Sequence, residues 1–252
     1  MHNSSAPLIG KKYTVRCSAC RVRGWGLCEP IHDDELDVVE RFKAGDKVLE
    51  AGQDLFREGE PSRELYTVLE GWMFLYKLLE DGRRQIAKIV LPGDFVGFQP
   101  DLEALLDHSA QALTDVRLCV FPRDNFLELN RAHPELAIRL TCLVAHDVEM
   151  SRDRLTSVGR RSARERVAHF LLGLFYRVRL RHQEPRGASI PMPLTQEHIG
   201  DALGLTSVHV NRTLRNLRDE GLIEIANRRL HILDPDRLAD AAGFDEDSLG
   251  RT

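Results

Sequence analysis

Three cysteines, Cys17, Cys20 and Cys28, fall within twelve residues as C-x2-C-x7-C, and Cys119 stands far downstream. A C-x2-C loop can place two thiolates on one metal centre. Arg21 and Arg23 in the same loop are expected to lower the thiol pKa values and to offset the charge of a bound centre. Gly24 and Gly26 let the backbone fold around a metal without side-chain clashes. Four cysteine sulfurs suit either tetrahedral zinc or an iron–sulfur cluster, and spacing does not decide between them. A thiol switch without metal is a further use of the same residues. The fifth cysteine, Cys142, lies on or near the apolar side of a helical stretch and reads as a buried thiol. Five cysteines in 252 residues are too few for a disulfide scaffold.

A second constellation runs from 195 to 216. Thr195 is placed to cap a short helix, Gln196 to Leu203. Gly204 supplies the positive φ that a tight helix-to-helix turn needs. Thr206 or Ser207 then caps a second helix to about Glu220, ended by Gly221. Ile199, Leu203, Leu205, Val210 and Leu214 pack the pair together, with the small Gly200 where the helices cross. This is helix-turn-helix logic, in which the second helix enters the major groove. Thr206, Ser207, Val208, His209, Asn211, Arg212 and Arg215 are the candidate DNA contacts. Arg212 can bond guanine O6 and N7 together, and Asn211 can do the same to adenine. Ile223 to Ile225, a turn at Asn227-Arg228-Arg229 and Leu230 to Ile232 read as a β-wing reaching the DNA backbone.

The net charge of −4 speaks against nucleic acid only until it is divided along the chain. Residues 1–159 carry −6, residues 160–233 carry +6 from 13 arginines and no lysine, and residues 234–252 carry −4. A basic block between acidic ones is the footprint of a phosphate-binding module. The ten histidines are scattered, and no Ser/His/Asp or paired-carboxylate pattern has catalytic spacing, so an enzyme is not expected. No run approaches the ~18 apolar residues of a membrane span. No signal-peptide core opens the chain, which points to a cytoplasmic protein.

The elements that must hold these residues follow from periodicity. The first 16 residues read as a mobile tail, and Asp33 to Phe42 as a short helix with acidic residues in its first turn. From Lys43 to Pro122, recurring glycines separate short apolar or alternating runs, with Asp81-Gly82 as a hairpin signal. This predicts an antiparallel β-roll, barrel or sandwich. From Pro134, Leu136, Leu140, Leu143, Val144, Val148 and Leu155 recur at helical spacing, with no breaker before Gly159. The stripe can face a second copy, its own β-domain, or both. Ser162 and Glu165 form a capping box opening a helix with Val167, Phe170, Leu171, Leu174 and Val178 on one face, before a loop near Pro185 to Gly187.

This order of β-roll, long helix and winged helix-turn-helix resembles the CRP/FNR family of bacterial transcription regulators, from about Cys17 to Phe244. The resemblance implies an α+β fold in four segments. These are a cysteine-rich segment at 1–32, a cyclic-nucleotide-binding-like β-roll at 33–132, a dimerisation helix at 133–159 and a winged helix-turn-helix at 160–252. Leu91 to Phe98, Ala110-Gln111-Ala112-Leu113 and Leu118-Cys119-Val120-Phe121-Pro122 look like the FNR branch. That branch binds an oxygen-labile [4Fe-4S] cluster through three N-terminal cysteines and one central cysteine, and Cys17, Cys20, Cys28 and Cys119 match those positions. The resemblance implies a homodimer on palindromic promoter DNA, with RNA polymerase as partner. Relatives that bind cyclic nucleotides carry Gly-Glu and a later Arg-Ser or Arg-Thr. Here these are Gly93-Asp94 and His108-Ser109, and the missing arginine removes the phosphate clamp, so no cyclic nucleotide is expected. FNR-type readers carry Glu-x-x-Ser-Arg, whereas this chain reads Val208-His209-Val210-Asn211-Arg212 and loses the carboxylate that reads cytosine.

Overall fold

The computed structural model describes residues 8–9, 14–99, 104–182 and 189–243. The chain forms two compact units, Met1–Val148 and Glu149–Thr252, and the division falls inside its longest helix.

The first unit contains β1 (Leu8–Ile9), α1 (Leu36–Phe42), β2 (Gly45–Leu49), β3 (Asp54–Phe56), β4 (Glu64–Glu70), β5 (Met73–Leu78) and β6 (Arg84–Val90). It continues with β7 (Phe95–Val96), β8 (Ser109–Ala112), β9 (Val116–Pro122), α2 (Arg123–Ala132) and the start of α3 (Pro134–Arg160). The strands pair antiparallel in two sheets, β1-β2-β9-β4-β7 and β3-β8-β5-β6. Successive strand residues face opposite sides of a sheet. Tyr66, Val68, Leu118 and Val120 accordingly join Met73, Val90 and Ala110 from the other sheet in one core. Leu65, Leu69, Cys119 and Phe121 turn to the opposite face. There they meet Val22, Leu27, Leu36 and Val39, and also Phe126, Leu129 and Leu136 from the helices. The β5–β6 hairpin turns where Asp81-Gly82 predicts it, with Gly82 at φ 82° and the Asp81 carboxylate accepting from Arg83 N–H at 3.0 Å.

Three expectations change in this unit and along α3. Leu8–Ile9 pair with Lys47 and Asp46 of β2, and the Lys43 ammonium donates to Val15 C=O at 2.7 Å, so these parts of the expected mobile tail are held. Helix α2 was not anticipated, because only Phe126 and Leu129 among its apolar positions are buried, too few to show a period. Helix α3 runs past Gly159 to Arg160, since one helical glycine costs only ~1 kcal/mol relative to alanine and no proline follows to force a stop.

The second unit contains α4 (Ala163–His182), β10 (Ile190–Pro191), α5 (Gln196–Leu203), α6 (Ser207–Asp219), β11 (Ile223–Ala226), β12 (Arg229–Ile232) and α7 (Pro235–Ala242). The capping box opens α4, with Ser162 N–H donating to the Glu165 carboxylate at 2.6 Å and Glu165 N–H to the Ser162 hydroxyl at 3.3 Å. Val167, Leu171, Leu174 and Val178 are buried, and Phe170 is half-buried. The wing turn is tighter than predicted. Arg229 already pairs with Ala226, which leaves Asn227 (φ 52°) and Arg228 (φ 56°) as a two-residue turn of the type that right-twisted hairpins favour. A short strand missed in the sequence, β10, adds to the wing through β12. The expected loop at Pro185 to Gly187 and the end of the resemblance at Phe244 lie outside the described residues.

Candidate functional site

The cysteine loop begins as a single 3-10 turn, Cys17–Ala19, closed by Cys20 N–H donating to Cys17 C=O at 3.2 Å. The Glu40 carboxylate on α1 accepts from Cys17 N–H at 3.2 Å, which fixes the start of the loop. Gly26 lies against backbone: a Cβ there would come 2.9 Å from Val22 O and 3.4 Å from Gly93 O. Gly24 has open space around it, so the steric reason for glycine holds at Gly26 and not at Gly24. The Trp25 indole donates to Pro92 C=O at 3.2 Å and covers Gly93, whose φ of 92° and bare Cα both suit glycine.

The fourth thiol arrives from the sheet. Cys119 on β9 is buried, with Asp46 of β2 and Thr67 of β4 as its register partners. Cross-strand partners share a face, with Cβ atoms ~5 Å apart. One pocket is lined by all four expected ligands, Cys17, Cys20, Cys28 and Cys119, together with Lys43 and Thr67.

The electrostatics differ from the sequence expectation. Burial pushes Cys17 up to about 11 and Cys28 up to about 12, and it raises Cys119 as well. The neighbouring thiols add to the rise, since each thiolate formed would repel the next: Cys20 acts on Cys17, and Cys17 acts on Cys28 and Cys119. The main cation that opposes this is Lys43, with a smaller lowering from Arg23 at Cys28 and none from Arg21. Arg21 is exposed, and Arg23 pairs with Asp33 at 2.6 Å, acting only weakly on Cys28. Lys43 is buried and bonded to Asp46 at 2.8 Å. Burial disfavours its charge, but Cys119 and Asp46 outweigh that and raise its pKa, so a cation is fixed beside the thiols. No sequence motif marked Lys43, whose role appears only when β2 and β9 pair.

The same loop is tied to the long helix. Arg139 on α3 donates to Trp25 C=O at 2.8 Å and Gly26 C=O at 3.2 Å, and pairs with Glu29 at 3.6 Å. Leu136 is fully buried, and Leu140 and Leu143 pack on the core that includes the cysteine loop. Leu136 is therefore withdrawn from the expected dimer-facing set. The outward stripe holds Val144 (39% exposed), Val148 (42%) and Leu155 (75%); Ile138 (68%), which the sequence reading omitted, is also exposed but lies off that line by roughly a quarter to a third of a turn. Cys142 is exposed rather than buried, on a face of α3 away from both Leu136 and this stripe.

In the second unit the predicted reader is local and exposed. Thr195 caps α5 through His198 N–H, Gly204 adopts φ 65°, and Thr206, not Ser207, caps α6 by accepting from His209 N–H at 3.3 Å. Gly200 is required where the helices cross, since a Cβ would come 2.5 Å from Leu205 O. Val210, Leu214 and Leu217 are buried, whereas Ser207, Val208, His209, Asn211, Arg212 and Arg215 all face outward. Arg164 grips Glu220 through two contacts of 2.6 Å, bracing the end of α6 against α4.

Comparison with known proteins bears on both units. The cyclic nucleotide-binding domain family matches residues 46–133, and the Crp-like helix-turn-helix domain family matches residues 165–241. The nitrogen fixation regulation protein FixK of Bradyrhizobium diazoefficiens is 38% identical over 88% of this chain and 92% of its own length. The transcriptional activator FnrL of Cereibacter sphaeroides is 32% identical over 92% of this chain and 94% of its own. The fumarate and nitrate reduction regulatory protein of Escherichia coli is 29% identical over 91% of each chain. The solved structure of FixK2 from Bradyrhizobium japonicum superposes with a TM-score of 0.70 at 29% identity, over 78% of this chain and 96% of that one. These relatives span more than one branch, and they are regulators rather than enzymes. The α+β chain of β-roll, long helix and helix-turn-helix domain belongs to the CRP/FNR family of DNA-binding transcription regulators.

Proposed function

We propose that this regulator responds to oxygen or redox state through one [4Fe-4S] cluster per subunit, held by Cys17, Cys20, Cys28 and Cys119. The observation that carries the reading is the donor set: four thiols, a buried cation and a buried, unpartnered hydroxyl line one pocket. Four thiolates in one pocket suit a cluster, and zinc is the alternative that metal analysis distinguishes. Bound there, a cluster supplies a redox-sensitive centre whose loss frees the loop.

The chain's own residues relay that state. Lys43 offsets negative charge at the thiols, and Arg139 fixes the loop between Cys20 and Cys28 to α3. The outward residues Val144, Val148 and Leu155 supply an apolar stripe for a second copy. Two copies place two α6 helices for successive major grooves of a palindromic promoter site, and the loop state shifts the population of that dimer. Anaerobic purification should yield ~4 iron and ~4 sulfide per chain, as a [4Fe-4S] group requires. Zinc in place of both overturns the reading.

A further inference from the structure

The Thr67 hydroxyl is an anomaly in the first unit. Thr67 is 6% exposed and its Oγ1 has no hydrogen-bond partner, the Cys119 sulfur included. A buried, unpaired hydroxyl is costly, and native proteins keep few of them without a purpose. Its position gives one. Thr67 lies on the helix-facing side of β4 between Leu65 and Leu69, directly across from Cys119, and lines the cysteine pocket. Beyond the thiols, Lys43 and Arg23, the wall around Thr67 is built from apolar side chains, among them Leu36, Val39, Leu69 and Phe121. A valine would fill the same volume without the penalty.

We propose that Thr67 is a positioning residue that donates its hydroxyl proton to a sulfur of the group held by the four thiols. This rests on the cluster reading above. A donor to a cluster sulfur favours the more negative, reduced state and so raises the reduction potential. The same hydroxyl destabilises the metal-free pocket, where it has nothing to bond. The two effects have opposite signs, and a purely structural threonine produces only one.

The test compares wild type, Thr67→Val and Thr67→Ser in the full chain, prepared anaerobically with measured iron and sulfide. The valine variant should shift the midpoint potential of the loaded protein to a more negative value, and it should raise the melting temperature of the metal-free protein. The serine variant, which keeps the hydroxyl, should hold the wild-type potential. Equal potentials in all three loaded proteins overturn the role of Thr67 and leave the cluster standing. A valine variant less stable than wild type in both forms overturns it too, as a packing residue behaves that way. Absence of iron and sulfide from wild type overturns the cluster reading and this proposal with it.

Discussion

The cysteine pocket keeps its working groups inside the protein, whereas the helix-turn-helix keeps them outside. Cys119, Lys43 and Thr67 are all less than a tenth exposed, and their properties come from burial. Val208, Asn211 and Arg212 project from α6, and burial acts only on the residues beneath them. The difference sets how each region fails. A change in the pocket alters charge balance in a poorly solvated space, where one lost partner is felt by every neighbour. A change on the outer face of α6 removes one contact and leaves the fold intact.

The sharpest way to break the comparison is to remove one thiol. Cys28→Ser should abolish iron and sulfide retention and cluster-dependent DNA binding, measured by metal analysis and anaerobic gel shift. Cys142→Ser should do neither, because Cys142 is exposed on α3 and does not line the pocket. Equal effects of the two substitutions would remove Cys28 from the ligand set. A graded loss would show that the pocket behaves like the reader, one contact at a time.

Legibility in the sequence followed the same division. The helix-turn-helix is built from neighbours in the chain, so Thr195, Gly200, Gly204 and Gly221 could be read directly, and the structure places each in its expected role. The hairpin at Asp81-Gly82 was equally local. The pocket draws on α1, the residue that follows it, β4 and β9, and only the cysteines carried a visible spacing. Thr67 joins them through strand pairing and Lys43 through its ion pair with Asp46, neither of which a local pattern encodes. Sequence proximity points to Arg21 and Arg23, whereas Lys43 takes most of that role and Arg23 a smaller part of it at Cys28. The stripe on α3 mixed two faces for a related reason. Leu136 and Leu155 both fit a helical period, but only the fold shows that one is buried and the other 75% exposed.

On the reader, the larger effect belongs to Arg212. Its guanidinium is exposed on α6, on the surface free to meet base edges. Arg212→Ala should cost about 1–3 kcal/mol at the base pair it contacts and relax preference there. Selection of bound sequences from a randomised pool measures this. An unchanged preference at every position would remove Arg212 from the readout. A loss spread evenly over all sequences would make it a phosphate contact instead.

Thr206 gives the smallest and most discriminating effect. It was grouped with the DNA contacts, yet its hydroxyl accepts from His209 N–H and closes the first turn of α6. Replacing such a cap by alanine costs about 1 kcal/mol. Thr206→Ala should therefore lower the melting temperature of the second unit by a few degrees. It should weaken DNA binding evenly across sequences, because α6 frays at the end that carries Ser207 and Val208. Thr206→Ser retains the acceptor and should recover both. If alanine instead changes which base is preferred while the melting temperature stays fixed, Thr206 reads DNA itself. An outward residue would then carry a direct base contact in addition to its cap, and the division between the working face of α6 and its structural supports would have to be redrawn at this position.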